Sequence, residues 1–430
     1  MSRQGGTRIG RSCAASTRAA AVILAGGKGT RLGALTRDEC KPALPFAGAY
    51  RTIDFSMSNC VNSGLARIGI ATQYKDANLV HHLQCEWQYS ARRRGHQIDT
   101  WRAAALPRAA GYAGTADAVY QNWHRLCAWD TELVLVLAGD HVYRMDYRPL
   151  LERHVATGAT ATVGCIEVPL ADAGQFGVMS IDRTNRIQRF VEKPRRPEPL
   201  PEKPDRVLAS MGIYVFNRRF LGQLLAKDAR DPASSHDFGR DLIPRIIETG
   251  RVYAYPFSEA APVGRGYWRD VGTVDAYWRS HMELLDGMPG TAFDNKAWPV
   301  RNTMRGHHRL VRTACIEPSP PGSLLAANCR FHGATVRRSV VGANVVVAPG
   351  AEIVNAVILP NAIIGPHCRL TDVVVGAGTR VAPGTRIGPS SRSAAAGSPV
   401  LLTAGSSVEG VRAPPSTAAT SQGAMKRTGT

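Results

Sequence analysis

At 430 residues the chain exceeds the length over which one hydrophobic core keeps growing, so two globular domains are expected. No run reaches the ~20 apolar residues of a membrane helix, and no membrane partner is expected. The formal charge of +19 admits a polyanion, but neither a zinc-finger nor an RNA-recognition pattern accompanies it. No nucleic-acid partner is expected; a basic surface also suits small phosphate-bearing ligands, although the excess of charge is greater than one such site requires. The nine cysteines contain no C-x-x-C pair, which fits reduced thiols in a cytoplasmic protein better than a zinc site or a disulfide framework.

The chain opens with Arg3, Arg8, Arg11 and Arg18 and no acid before Asp38. A cleaved targeting segment that took in the following apolar stretch would remove part of a glycine loop, so residues 1–19 are read as a disordered basic tail. From 20 to 286, short aliphatic runs alternate with longer mixed segments. AAVILAGG, RIGIAT, ELVLVLAGD, ATVGCIEV and ASMGIYVF read as buried strands. Between two of them lies a helix over 116–129, opened by Thr115 as N-cap. The alternation predicts an α/β domain on a mostly parallel, Rossmann-like sheet with ligands at the carboxyl ends of the strands.

Residues 287–322 form a proline-rich connection without periodicity. Aliphatics then fall every six residues in three trios: Val341, Val347 and Ile353; Ile358, Ile364 and Leu370; Val375, Val381 and Ile387. One inward aliphatic per six residues is what each face of a left-handed parallel β-helix needs, and 323–389 is assigned to that fold. The end, 390–430, is mostly disordered, with one apolar patch at Val400 to Leu402.

The strongest local feature is Ala25-Gly26-Gly27-Lys28-Gly29-Thr30-Arg31-Leu32, directly after a strand. Three glycines let backbone N–H groups approach a phosphate while Lys28 and Arg31 supply charge. The loop is neither a Walker loop nor the dinucleotide fingerprint, whose third glycine is replaced by Leu32. Together with Lys41-Pro42-Ala43-Leu44 it resembles the sugar-nucleotide pyrophosphorylases. The segments Arg51 to Asn59, Thr72 to Tyr74, Gly114 to Asp117, Ala138 to His141, Phe190 to Pro194, Ala209 to Tyr214, Ser235 to Gly239 and Tyr267 to Gly272 extend the match in order. They make it most similar to the ADP-glucose-forming branch, the glucose-1-phosphate adenylyltransferases.

That resemblance implies joining of ATP to glucose 1-phosphate with release of pyrophosphate, for glycogen or related α-glucan synthesis, usually by a homotetramer under an anionic allosteric effector. It implies Mg²⁺ on Asp140 and Asp270, with Arg31 and Lys41 beside them as catalytic groups. ATP would meet Gly26, Gly27, Gly29, Thr30, Arg31, Gln73, Tyr112, Gly114 and Asp117. Glucose 1-phosphate would meet Glu192, Lys193, Ser210, Tyr214, Asp237, Phe238 and Trp268. The residue types suit these ligands: carboxylates and phosphates make an oxygen shell for Mg²⁺, and a hexose offers hydroxyls to carboxylates and an apolar face to an aromatic ring.

The departures concern control. Asp38 and Glu39 stand where many relatives carry activator-binding cations, Gly111 precedes Tyr112 where some have tryptophan, and activator-binding arginines have no counterparts around 390–398. The effector's identity is therefore open, with Lys28, Arg37 and Arg51 the cations left near the loop. The alternatives are a UDP- or dTDP-glucose pyrophosphorylase and a weakly active regulatory subunit of the same family.

Overall fold

The structure is a computed structural model that describes residues 15–88, 92, 95–106, 111–259, 266–289, 291, 293, 295–301, 311–313, 322–388 and 398–403. The strands of the first domain are, in chain order, β1 Ala19–Ala25, β2 Pro45–Phe46, β3 Tyr50–Arg51, β4 Arg67–Thr72, β5 Gln97–Arg102, β6 Leu133–Ala138, β7 His141–Tyr143, β8 Ala161–Pro169, β9 Gly177–Ile181, β10 Ile187–Glu192, β11 Arg206–Asn217, β12 Val252–Pro256 and β13 Trp268–Asp270. The main sheet runs β10-β9-β11-β6-β1-β4-β5, with β8 on β11 and β12 on β8. Its half from β6 to β5 is parallel, as the alternating pattern predicts. The long strand β11 enters antiparallel to β6, β8 and β9, so the sheet is mixed. Successive residues of β1 alternate between two cores, Ala21 and Ile23 on one face and Ala20 and Val22 on the other, and this explains its unbroken apolar run.

Three local expectations are corrected. The helix expected over 116–129 is two helices, Thr115–Gln121 and Trp123–Cys127, broken at Asn122. Thr115 is its first helical residue and not its N-cap, which is Gly114; the Thr115 hydroxyl donates to Asp237 Oδ2 at 2.9 Å instead. The expected tail also ends earlier than residue 19: Ala15 and Ser16 are buried, and β1 starts at Ala19 because Glu132 N and Leu133 N both donate to Arg18 O. Residues 1–14 lie outside the described set.

The second domain is the expected three-sided β-helix. Its strands stack on three faces in parallel register, as in Glu352↔Arg369 and Val346↔Ile363, one coil being 17 residues. All nine aliphatics of the six-residue pattern point inward and are buried. One set of corners has Asn328, Asn344 and Asn361 at φ 62°, 60° and 63°, a left-handed conformation that asparagine tolerates better than other non-glycine residues. Their side chains form a ladder, Asn328 Nδ2 to Asn344 Oδ1 at 3.2 Å and Asn344 Nδ2 to Asn361 Oδ1 at 3.1 Å. The coil reaches past 389: Val400–Leu402, assigned above to the terminal tail, pairs with Val373–Val375, because Val400 and Leu402 then cover the open end of the core.

The helix Val274–Leu285 docks the coil on the first domain. Trp278 Nε1 donates to Asn355 O at 2.6 Å, and Arg338 forms a two-pronged pair with Asp286 at 2.6 and 3.0 Å. Val340, Val357 and Val374 from the coil share one apolar cluster with Leu32 and Leu35, which directly follow the glycine loop.

Candidate active site

The glycine loop leaves the carboxyl end of β1 and turns into a 3₁₀ helix, Thr30–Thr36, on which Thr30 is exposed. Gly29 has φ 63°, and a side chain there would press on Thr36 Cγ2 at 3.1 Å and Lys41 Cβ at 3.2 Å. A Cβ on Gly26 would lie 3.2 Å from Gln73 Cβ, whereas Gly27 faces open space. Thr36 Oγ1 ties the turn by donating to Gly29 O at 3.0 Å. The loop is thereby held with its backbone turned toward the cleft.

Beside it lies an acidic centre built by sheet register. β7 and β13 pair antiparallel with Asp270 opposite His141, which brings Asp270 next to Asp140. Lys41 Nζ sits between them, 3.0 Å from Asp140 Oδ2 and in a close ion pair with Asp270 Oδ1. Arg31 Nη2 is 3.4 Å from Asp270 Oδ2, and its Nη1 donates to Gln175 Oε1 at 3.2 Å. Burial pushes the Asp140 carboxyl up, but Lys41 and then His141 outweigh it and hold the group down at about 2. Asp270 is lowered for the same reasons against the same burial. Lys41, which burial alone would lower, is raised by the two carboxylates. All three side chains are therefore charged at neutral pH, and removing Lys41 would leave two acids facing each other with little water.

Donor atoms of Asp140, His141 and Asp270 lie within 4.8 Å of one another. Two carboxylates, one from the turn between β6 and β7 and one from the end of β13, open on the cleft side where Asp140 keeps 32% of its side chain exposed, fit a hard divalent cation that completes its shell with ligand oxygens.

The cleft itself has a volume of about 470 Å³. Gly26, Gly27, Gln73, Tyr112 and Gly114 line one side, Glu192, Tyr214, Asp237 and Phe238 the other, with Asp140 between. Gly114 lacks a side chain because Ser235 O and His236 O would stand 2.4 and 2.3 Å from its Cβ, so the two walls touch there. Tyr214 and Phe238 stack at 5.6 Å and 19°. The Glu192 carboxyl is raised chiefly by burial, with Lys193 opposing and Asp237 adding to the rise. It is accommodated by two glycines, Gly177 and Gly239, whose Cβ atoms would come within 2.8 and 2.5 Å of its Oε2.

Several expected site residues serve a different first purpose. Asp237 caps the turn after it, accepting from Gly239 N and Arg240 N at 2.9 and 3.0 Å. Asp117 accepts from Ala113 N and from Gln121 Nε2 and lies outside the cleft lining. Ser210 is buried behind Tyr214, 3.4 Å from its hydroxyl. Trp268 is buried edge-on to His141 at 5.0 Å, its indole N–H without a partner among the described residues. Lys193 is 54% exposed, 3.3 Å from Glu192 Oε1, and holds φ 48°, a conformation a lysine adopts only under constraint. Arg51, one of the cations left near the loop, is already occupied by Glu39 Oε1 at 2.8 Å and Ala43 O at 2.6 Å.

Sequence reasoning missed His141 and Gly212. His141 follows Asp140 directly and joins the acidic centre, 3.6 Å from Asp140 Oδ1. Gly212, at φ 65°, sits where β11 breaks register between Ser210 and Ile213, and lets that strand pass Ala138 and His141. The A-G-D-H and S-M-G-I segments carried both residues, but nothing local in them says which side chain meets which.

The nucleotidyl transferase family matches residues 20–287, and the GlmU-like C-terminal hexapeptide family matches 317–400. The glucose-1-phosphate adenylyltransferase of Methylococcus capsulatus is 45% identical over 86% of this chain and 88% of its own length. Glucose-1-phosphate adenylyltransferase 2 of Alkalilimnicola ehrlichii is 47% identical over 85% and 87%. That of Albidiferax ferrireducens is 45% identical over 86% and 90%.

Proposed function

The chain belongs to the glucose-1-phosphate adenylyltransferases, and from that premise we infer that it joins ATP to α-D-glucose 1-phosphate, yielding ADP-glucose for α-glucan synthesis and releasing pyrophosphate. The observation that carries the reading is the convergence of Lys41, Asp140 and Asp270 at the mouth of a glycine loop, beside a cleft with two unlike walls. Such a reaction asks for in-line positioning and neutralised charge more than for acid or base.

The nucleotide lies along Gly26, Gly27, Gly29, Thr30, Gln73, Tyr112 and Gly114, with Arg31 facing the departing pyrophosphate and Asp117 acting through the Ala113 backbone that it holds. The sugar phosphate lies along Glu192, Tyr214, Asp237 and Phe238, with Lys193 on its phosphate, while Ser210 supports the wall from behind Tyr214 and Trp268 from beside His141. Asp140 and Asp270 hold the divalent cation, taken as Mg²⁺; when bound it neutralises phosphate charge and polarises the phosphoryl group under attack. Lys41 holds the two carboxylates in place and presents its ammonium to the phosphates. Pyrophosphate release measured with ATP, each sugar phosphate and Mg²⁺, and then with UTP and dTTP, tests the assignment. Preference for UTP or dTTP would move the chain to another branch of the superfamily, and no turnover with any nucleotide would make it a regulatory subunit.

The same reading includes a cytoplasmic homotetramer and an anionic effector. With Asp38 exposed and Arg51 occupied by Glu39, a bis-phosphorylated sugar meets like charge near the loop, worth roughly a kilocalorie per close contact. Fructose 1,6-bisphosphate is therefore a poor activator, and a monophosphate bound by Lys28 or Arg37 the better candidate. Saturation curves with each sugar phosphate decide it: strong activation by micromolar bisphosphate contradicts the assignment.

A further inference from the structure

Gln73 is held more tightly than a base-facing side chain needs to be. Its Nε2 donates to Tyr112 O at 3.3 Å, and its Oε1 accepts from Tyr112 N at 3.2 Å. A backbone N–H can only donate and a backbone carbonyl can only accept, so this double contact fixes which end of the carboxamide is oxygen and which is nitrogen. Rotation by half a turn would set two donors together and two acceptors together. Gly26 and Gly111 make room for the arrangement: a Cβ on Gly111 would lie 2.8 Å from Gln73 Nε2, and its φ of 70° suits glycine alone.

Both partners of that contact are themselves tied to one rim of the sheet. The Tyr112 hydroxyl donates to Trp101 O at 3.0 Å and accepts from Asn122 Nδ2 at 2.9 Å, at the break between the two helices. Gln73 follows Thr72, the last residue of β4, which lies opposite Arg102, the last of β5. Thr72 Oγ1 donates to Asp76 Oδ2 at 2.7 Å, and Arg102 grips the same carboxylate through Nε at 3.1 Å and Nη2 at 2.8 Å. The pair Asp76–Arg102 thus closes a ring through Thr72, Gln73, Tyr112 and Trp101.

We propose that this ring locks the Gln73 carboxamide in one orientation and thereby selects the nucleobase edge, with Asp76 and Arg102 as its positioning residues. The proposal rests on Gln73 facing the base. Its two contacts to Tyr112 use the edge on which the oxygen and one N–H point the same way; the remaining N–H and oxygen lone pair point to opposite sides, so a base edge meets one of them at a time. Adenine offers an amino donor beside a ring-nitrogen acceptor, and guanine offers a carbonyl acceptor beside a ring N–H donor. A glutamine free to flip can turn either its oxygen or its N–H to the ring nitrogen beside the exocyclic group; a locked one that turns its free N–H there finds an acceptor in adenine and a ring N–H, donor to donor, in guanine. Sites that hydrogen-bond through fixed groups reject the wrong partner far better than apolar pockets of the same shape.

The test is the ratio of kcat/KM for ATP over GTP, two purines of equal bulk, in the full-length enzyme. Arg102 is 44% exposed and not part of the apolar core, so Arg102→Ala is expected to fold. It is expected to raise KM for ATP and lower the ATP:GTP ratio ~10-fold, with KM for glucose 1-phosphate and the thermal midpoint little changed. Arg102→Lys, which keeps the charge but not the two-pronged grip, should restore part of the ratio. Gln73→Ala is the control for the premise: if it leaves KM for ATP unchanged, Gln73 does not read the base. If Gln73→Ala raises that KM while Arg102→Ala leaves the ratio intact, the lock is overturned and the premise stands. Equal shifts in both substrates' KM with a lowered thermal midpoint would make Arg102 merely structural and equally overturn the lock.

Discussion

The coil and the acidic centre are assembled by opposite means. Through the middle of the coil each residue meets its counterpart one turn away, 17 positions along the chain, so one sequence period specifies the inward contacts there. In the acidic centre Lys41 meets Asp270 across 229 positions, and the meeting depends on β7 and β13 pairing in one register. Redundant local contacts tolerate damage to one rung. A singular long-range constellation does not, because no second residue stands ready to replace the one removed.

Asp140→Asn is the most severe way to press that difference. The variant keeps the shape and removes the charge facing Lys41 and the cation site. Turnover should fall ~10²- to 10³-fold with the fold intact, measured as pyrophosphate release at saturating Mg²⁺. Retention of more than about a tenth of the activity would show that the metal site lies elsewhere.

Ile364→Ala makes the complementary cut, in the fully buried middle of the coil. A buried isoleucine reduced to alanine costs about 2–5 kcal/mol, here as loss of stability and not of rate per folded molecule. Calorimetry should show a lower unfolding temperature while kcat at 25 °C stays within about twofold of the parent. A loss of kcat as large as that of Asp140→Asn, in protein shown to be folded, would mean that the coil shapes the site through the shared cluster with Leu32 and Leu35.

What the amino-acid sequence disclosed follows the same division. The nine inward aliphatics and the five strands were legible because burial repeats with the period of the element, as at Val341 and Val347 or along β1. The glycine loop was legible because Gly29 answers a local demand, φ 63°. Thr115 was misread as a cap because its competitor for the hydroxyl, Asp237, lies 122 positions away. His141 was passed over for a similar reason, since only the pairing of β7 with β13 brings it beside a second acid. Gly114 matched a motif, yet its physical reason, the carbonyls of Ser235 and His236, belongs to another loop.

Lys193→Ala tests the sugar wall with a milder change. A charge-assisted contact to a phosphate acts in ground and transition states alike, so the loss of about 1.5–3 kcal/mol should appear as a ~10- to 100-fold rise in KM for glucose 1-phosphate. KM for ATP should barely move. An equal rise for both substrates would remove Lys193 from the sugar side.

The smallest expected effect lies on the seam between the two regions. His281, on the helix that carries the coil, accepts from Ala47 N at 3.1 Å through Nε2 and donates from Nδ1 to Tyr277 O at 2.8 Å. That pattern requires the neutral ring. Burial pushes its pKa down to about 4 from an ordinary 6.5, with the Tyr277 contact opposing. Between those values the unfolded chain binds a proton that the folded chain refuses, so stability must fall as pH drops from about 6.5 toward 4. At pH 5.5 the loss relative to pH 7.5 amounts to about 1 kcal/mol from this residue. His154, also buried and held near 4, adds a similar slope inside the first domain, so the wild-type curve alone does not separate them. Unfolding of the parent and of His281→Phe at both pH values does. The variant loses the bond from Ala47 N at either pH, but its further loss on acidification should be smaller than the parent's by about 1 kcal/mol. Identical losses on acidification would mean that His281 takes up its proton equally in both states, and that the seam has no part in the acid sensitivity of the fold.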